Sequence, residues 1–284
     1  MFRVTPAHRI ALHGIEASRR LESAAVAVLP PHTLMQRAGL AVARMALALA
    51  PHARTVWIAC GPGNNGGDGL EAAMHLQRWG QHPVVTWLGD EASAPEDARA
   101  SLARARSAGV TFSAMPPEGL GRDDLCIDAL LGIGATRAPQ GRMADWLRTL
   151  QASPAPVLAV DLPSGLNAET GNFAPDSIAG DDHSTKGSWQ IQAENTLSLL
   201  SCKPGLFTAY GRDAAGTVWF DDLGVDSSAE PACAWTNGTP VPAHRFHATH
   251  KGTRGDVAVI GGECLSRRGL GMTGAALLAA SAAL

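Results

Sequence analysis

Three clusters of oxygen-bearing side chains are the places where this 284-residue chain could do chemistry. The first is Asn64, Asn65 and Asp68, crowded into Cys60-Gly61-Pro62-Gly63-Asn64-Asn65-Gly66-Gly67-Asp68-Gly69-Leu70. The second is Asp128, an ionisable residue inside the apolar run Leu125-Cys126-Ile127-Asp128-Ala129-Leu130-Leu131. The third is Asp161-Leu162-Pro163-Ser164-Gly165-Leu166-Asn167. A carboxylate taken out of water needs a cation or several donors, so Asp128 calls for a counter-charge or for neighbouring backbone N–H groups. Asn65 and Ser164 offer neutral oxygens. Converged with Asp128, they would form an all-oxygen site that suits a hard cation rather than zinc or copper. Asp161 is then left as the carboxylate free for proton transfer.

The glycine loop satisfies the dinucleotide fingerprint G-x-G-x-x-G from Gly61 to Gly66. Such a loop sets backbone N–H groups and a helix N-terminus against phosphates. A plain β-to-α turn would carry the same letters. Asp68 puts an anion where a dinucleotide's pyrophosphate would lie, and the two would repel. Asp68 therefore reads as the cap of the following helix, with Asn64 or Asn65 contacting ligand or cation. No Lys follows the last glycine, which excludes a Walker A loop. Further along, Gly132 and Gly134 let backbone approach a ligand closely.

The elements that must position these residues alternate. Residues 54–59 are an apolar, β-branched strand, and Leu70, Ala73, Met74 and Leu76 recur at helical spacing up to Gly80. Strands follow at 83–88, 110–115, 125–131 and 156–162, with helices at 96–108 and 143–151 between them. Upstream, 10–28 and 33–50 read as two helices broken at Pro30-Pro31, the second capped by Thr33. This helical segment packs on the sheet and offers a face for a homo-oligomer. Strand–helix alternation implies a mainly parallel sheet covered on both faces, with ligands outside the carboxyl ends of its strands. All three polar clusters fall at such ends.

Composition narrows the class. Hydrophobic residues at 45% and charged residues at 17% fit a globular protein with a sizeable core. A net charge of −3 gives no electrostatic reason to bind nucleic acid or an anionic membrane. The first residues lack the apolar stretch of a signal peptide, and no apolar run approaches the roughly 20 residues that span a bilayer. Five scattered cysteines without a C-x-x-C pair suggest reduced thiols in a cytoplasmic protein.

Taken in order, the loop Gly61 to Gly69, Asp128-Ala129-Leu130-Leu131-Gly132 and Val160-Asp161-Leu162-Pro163-Ser164-Gly165 resemble the NAD(P)H-hydrate epimerase domain. That domain forms the N-terminal half of bifunctional NAD(P)H-hydrate repair enzymes. The resemblance covers about Ile10 to Val225. It implies a Rossmann-like three-layer α/β/α sandwich that interconverts the R and S epimers of hydrated NADH and NADPH, feeding an S-specific ADP-dependent dehydratase. It implies a potassium ion on Asn65, Asp128 and Ser164. It also implies substrate contacts from Asn64, Asn65, Gly66, Gly67 and Asp68, from Gly132, Ile133, Gly134, Ala135, Thr136, Arg137 and Ala138, and from Asp161. Two departures stand out: Gln36 replaces a usual Glu, and 193–199 differs in letters but not in apolar pattern before Lys203-Pro204-Gly205. The polar stretch 176–189 reads as a surface insertion.

Beyond Val225 the composition changes. Residues 226–243 are polar and proline-containing, as in a linker. His244, His247 and His250 stand three apart without an accompanying carboxylate or cysteine, a poor metal set. Residues 244–284 resemble the opening of the ADP-dependent dehydratase domain, a ribokinase-like fold, with a strand-and-glycine unit at 255–262 and a helix from Gly274 to Leu284. The sequence stops before that domain's nucleotide and catalytic motifs, so ADP is expected to matter only to that missing portion. Two other readings compete. One is an NAD(P)-dependent oxidoreductase, supported by the fingerprint and by Asp90 a little over 20 residues on. Against its short-chain type, the single Tyr, Tyr210, has Ala214 rather than Lys four residues later. The other is a non-catalytic nucleotide-binding scaffold, against which stand Asp68, Asp128, Asp161 and Ser164.

Overall fold

The structure is a computed structural model, and it describes residues 1–134, 137–173, 190–239, 247–250, 256–261 and 273–283. The chain forms two compact units, Met1–Thr239 and Pro240–Leu284. In the first unit the elements run β1 (Phe2–Arg3), β2 (Ala11–Leu12), α1 (Ile15–Val28), α2 (Thr33–Leu49), β3 (Val56–Cys60), α3 (Asn64–Arg78), β4 (Pro83–Trp87) and α4 (Glu96–Ser107). They continue with β5 (Thr111–Ser113), β6 (Leu125–Ala129), α5 (Arg142–Ala152), β7 (Val157–Val160), β8 (Asn195–Leu199), the short α6 (Gly211–Ala214), β9 (Thr217–Asp221) and β10 (Ala234–Trp235).

Eight strands form one sheet in the order β1-β9-β8-β7-β6-β3-β4-β5. Every neighbouring pair is parallel except β1 with β9. The central strands β3, β6 and β7 are buried along their whole length, as a parallel sheet covered on both faces requires. Their side chains alternate between two cores. Ile58, Ile127 and Leu158 pack with Val42, Leu70 and Leu102 of α2, α3 and α4. Trp57, Cys126 and Ala159 pack on the other side with Trp146, Leu147 and Leu150 of α5. The sandwich expected from the alternation is therefore present.

The chain leaves β3 towards β4 and β5, then returns to lay β6 on the other side of β3. Connections diverge there, and open α/β sheets bind ligands at that switch point. The two exits touch: Gly61 N donates to Ala129 O at 2.9 Å. A Cβ on Gly61 would lie 1.8 Å from Leu130 O, and one on Gly66 would lie 2.0 Å from Gly61 O. Only glycine fits either position. The fingerprint glycines thus serve first to let the β3 exit, the β6 exit and α3 approach one another.

Several boundaries differ from the sequence reading. Residues 11–12 form β2 rather than the start of a helix, because they pair with β10, and α1 begins at Ile15. The strand expected at 110–115 contracts to the edge strand β5. Thr33 does not cap α2. His32 holds that position at φ 64°, and Thr33 Oγ1 donates to Pro30 O at 2.7 Å. Residues 226–239, read as linker, pack on the first unit: Cys233 N bonds Leu12 O, Thr236 N bonds Ile10 O and Thr239 N bonds Pro6 O. In the second unit, α7 (Thr273–Ala283) forms where the apolar helix was expected. Residues 256–261, the described part of the expected strand, form no regular element. His244 and the stretch 176–189 lie outside the described residues.

Candidate active site

A cavity of about 480 Å3 opens over the carboxyl ends of β3, β6, β7 and β8. The glycine loop contributes Pro62, Gly63, Asn64, Asn65 and Asp68. The β6 exit contributes Leu130, Leu131, Gly132, Ile133 and Gly134, and the next two exits contribute Asp161, Leu199, Leu200 and Lys203. Over them lies α1, whose Ser18, Glu22 and Val26 stand one above another at i, i+4 spacing and face the cavity with Arg19. Ser18 Oγ donates to Gly14 O and sits 2.7 Å from Ser201 Oγ, which anchors α1 above the β8 exit.

Asp161 follows β7 in the left-handed region, at φ 66°. A non-glycine residue held there is strained, and such strain gathers at functional sites. The surroundings enforce it. Leu162 N closes a three-residue turn onto Val160 O at 2.8 Å, and Asp161 N bonds Leu197 O at 2.8 Å. Leu200, at φ 64°, repeats the device at the β8 exit, with Ser201 N on Leu199 O at 2.7 Å. The two turns are tied by Lys203, whose Nζ donates to Asp161 Oδ1 and, at 2.7 Å, to Leu199 O. Leu199 N also donates to Asp161 Oδ1 at 3.1 Å. Lys203 is 2% exposed and Asp161 9%, so this is a buried ion pair at the cavity wall.

Asp68 lies within α3 rather than at its cap, a correction to the sequence reading; Gly63 occupies the N-cap position. The helix begins four residues before Asp68, because the Gly63 exit already turns the backbone, so the carboxyl projects into the cavity instead of back to the helix start. It accepts no hydrogen bond among the described residues. Burial, then the charges of Asp161 and Glu22, hold it well above the usual carboxylate range, with Lys203 pulling the other way. Glu22 is raised as well, first by burial and then by Asp161, again opposed by Lys203. The cavity thus combines an ion-paired carboxylate with two carboxyls whose pKa values are raised, an arrangement that sets base and acid apart.

The structure joins Asp128 to Ser164. Ser164 Oγ donates to Asp128 Oδ1 at 2.6 Å, Ser164 N to Oδ2 at 2.8 Å, and Leu130 N to Oδ1 at 3.3 Å. The carboxylate is fully buried, and burial lifts its pKa to about 6 despite these donors. Of the two partners the sequence allowed Asp128, it has the donors. Ser164 Oγ also accepts from Leu131 N at 2.8 Å, so it links the β6 and β7 exits. Asn65 stands against Gly132, and its buried Nδ2 has no hydrogen-bond partner among the described residues. No hydrogen bond joins Asn65 to Asp128 or Ser164. No group of three or more His, Cys, Asp or Glu occurs at metal-binding distance among the described residues.

The remaining residues expected at the site divide. Gly66 and Gly67 are buried behind the cavity wall, Gly67 against Met35. Arg137 and Ala138 lie outside the cavity lining, and Ala135 and Thr136 lie outside the described residues. Lys203, Glu22 and Arg19 were not singled out from sequence. Lys203 had a signal, a lone Lys before Pro-Gly at a strand exit. Glu22 and Arg19 had none beyond helical spacing. Asp90, which an oxidoreductase would need at a ribose, accepts instead from Ala92 N and Ser93 Oγ in its own turn and does not line the cavity.

Residues 31–205 match the family described as YjeF-related protein N-terminus. The chain belongs to this family. An NAD(P)H-hydrate epimerase of Oenococcus oeni is 34% identical over 198 residues, 69% of this chain and 87% of the relative. The bifunctional NAD(P)H-hydrate repair enzyme of Escherichia coli is 36% identical over 281 residues, 93% of this chain but 50% of the relative. The chain thus spans half the length of that enzyme. The crystal structure of the yeast protein ynu0 superposes with a TM-score of 0.55 at 21% identity, over 68% of this chain and 82% of the yeast chain, and shares the fold. No helix among the described residues of this YjeF-related chain is long and apolar enough to cross a membrane.

Proposed function

We propose that this cavity interconverts the R and S epimers of hydrated NADH and NADPH, an isomerase reaction of metabolite repair. The observation that carries the reading is the buried Asp161–Lys203 pair sharing a cavity with Asp68, whose carboxyl burial holds well above the usual carboxylate range, at the switch point of a chain of this family. In this reading inversion at the hydroxylated ring carbon proceeds by loss and return of water. The neutral Asp68 carboxyl gives its proton to the leaving hydroxyl, the C–O bond breaks, and water departs from a planar cation. Water returns to the other face, its spare proton passes to the Asp161 carboxylate, and exchange with solvent returns that proton to Asp68 before the next turnover. Lys203, hydrogen-bonded to Asp161 Oδ1, holds that carboxylate in position until the proton arrives. Positioned acids and bases contribute about 10²- to 10⁴-fold each. The substrate contacts proposed are those of the glycine loop and of residues 132–138, of which Asn64, Asn65, Asp68, Gly132, Ile133 and Gly134 line the cavity.

A potassium ion would be held by Asn65, Asp128 and Ser164. The residues fit one: the set is all oxygen or amide, the carboxylate is desolvated, and the Asn65 amide has an unpartnered end that a half-turn could exchange for its oxygen. Bound, the ion would supply positive charge beside a negatively charged substrate. A cytoplasmic setting fits the unpaired thiols of Cys60, Cys126, Cys202 and Cys233. The test is to supply one epimer of hydrated NADH and follow the other by chiral separation. Equilibration faster than the spontaneous rate supports the reading, and an unchanged rate rejects it.

A further inference from the structure

The cavity does not end at Asn64. A second lobe of about 400 Å3 adjoins it and shares Val26, Leu34, Asn64, Pro95 and Asp97 with the first. Its remaining wall is the α1–α2 turn, including Pro30, Pro31 and His32, together with the first turn of α4. The two lobes form one cleft that follows α1: Ser18 and Glu22 lie over Asp161 and Lys203, while Val26 lies over the junction. At 1.5 Å per residue, Ser18 to Val26 spans about 12 Å. A dinucleotide whose reacting ring lies against Asp161 can extend its other nucleoside along α1 into the second lobe.

The chemistry of that lobe is one-sided. Among the described residues, the Lys and Arg lining the first lobe are Arg19 and Lys203, whereas none lines the second. Its charged groups are Glu96 and Asp97, in the first turn of α4. Asp97 Oδ1 is hydrogen-bonded to His32 Nδ1, which fixes the carboxylate from across the lobe. Asp97 Oδ2 and His32 Nε2 have no partner among the described residues. His32 reaches this pairing from a left-handed backbone, φ 64°, at the start of α2. The strained His32 thus orients a half-exposed carboxylate at the edge of the cleft.

Resting on the epimerase reading, we propose that the second lobe seats the distal ribose of the substrate. Asp97, set by His32, accepts hydrogen bonds from its vicinal hydroxyls and repels a 2′-phosphate, so that the chain prefers hydrated NADH to hydrated NADPH. A carboxylate is the group that recognises a free ribose diol, and a phosphate beside two carboxylates, with no Lys or Arg among the described lining residues, is opposed.

The probes are ADP-ribose and 2′-phospho-ADP-ribose, titrated into the full chain by calorimetry. ADP-ribose is expected to bind about tenfold tighter, and the gap should narrow as salt rises because the repulsion is screened. Asp97→Asn should close the gap by strengthening the phosphorylated probe, while Asp97→Glu keeps it. The salt series decides the matter on the wild-type chain should Asp97→Asn fail to fold. Equal binding of the two probes, binding of neither, or an equal loss for both in Asp97→Asn overturns the proposal, as does equal kcat/KM on the two hydrates. If the probes discriminate and neither hydrate is epimerised, the epimerase reading fails and the ribose site stands.

Discussion

Replacing Lys203 by Met keeps most of the side-chain volume and removes the ammonium. The buried Asp161 carboxylate would keep only the Leu199 N–H among the partners described above, and Leu199 O would lose its Lys203 donor. Breaking a buried pair on one side costs about 3–5 kcal/mol. For a unit of this size each kcal/mol moves Tm by about 2–4 °C, so Lys203→Met should melt about 6–20 °C lower. Removing the stranded charge as well, in Lys203→Met with Asp161→Asn, should recover part of that loss. The assay is thermal unfolding followed by circular dichroism across the double-mutant cycle. Lys203 also holds down the Asp68 and Glu22 carboxyls, so residual activity in Lys203→Met should persist to higher pH. A Tm drop under about 2 °C, with the two substitutions additive, would refute the claim that this ion pair organises the cavity wall.

Three further outcomes follow from the same geometry. Asp161→Asn should still bind substrate but epimerise it at least about a hundredfold more slowly, measured as kcat against KM. Because Asp161 raises the Asp68 pKa, the remaining activity should fall off at lower pH than in wild type; near wild-type turnover would reduce Asp161 to a positioning role. Potassium should raise Tm at pH 8 and do so progressively less below about pH 6, where the Asp128 proton competes with the ion. A shift independent of pH, or no shift in Ser164→Ala and wild type alike, would remove the ion from Asp128. Gly61→Ala should lower the urea midpoint by the equivalent of about 1–3 kcal/mol or more, because its Cβ would meet Leu130 O at 1.8 Å. An unchanged midpoint would mean the two strand exits can separate freely.

Much of this arrangement was legible from residue type and order. The buried runs of β3, β6 and β7 and the helices between them follow from periodicity, because a parallel sheet covered on both faces leaves an unbroken apolar signal. Asp128 announced itself as a carboxylate in such a run, and its tie to Ser164 sits where two adjacent strands end. What sequence missed was set by tertiary packing. Lys203 and Asp161 lie 42 positions apart and meet only because β7 and β8 are neighbours. Glu22 depends on α1 crossing over the strand ends. Asp68 was read as a cap because cap and cavity-facing carboxyl differ by four residues of helix start, and helix starts in glycine-rich stretches carry little local signal. The pairing of β10 with β2 rests on two segments of two residues far apart in the chain, and propensity alone gives no reason to join them.

The central claim is that inversion proceeds through loss and return of water at a carbon held between Asp68 and Asp161. It can be read directly by epimerising a single hydrated NADH epimer in H₂¹⁸O and weighing the product. The account predicts that one ¹⁸O enters the substrate for each inversion, in wild type and at a proportionally lower rate in Asp161→Asn. Inversion without ¹⁸O in the product would contradict it.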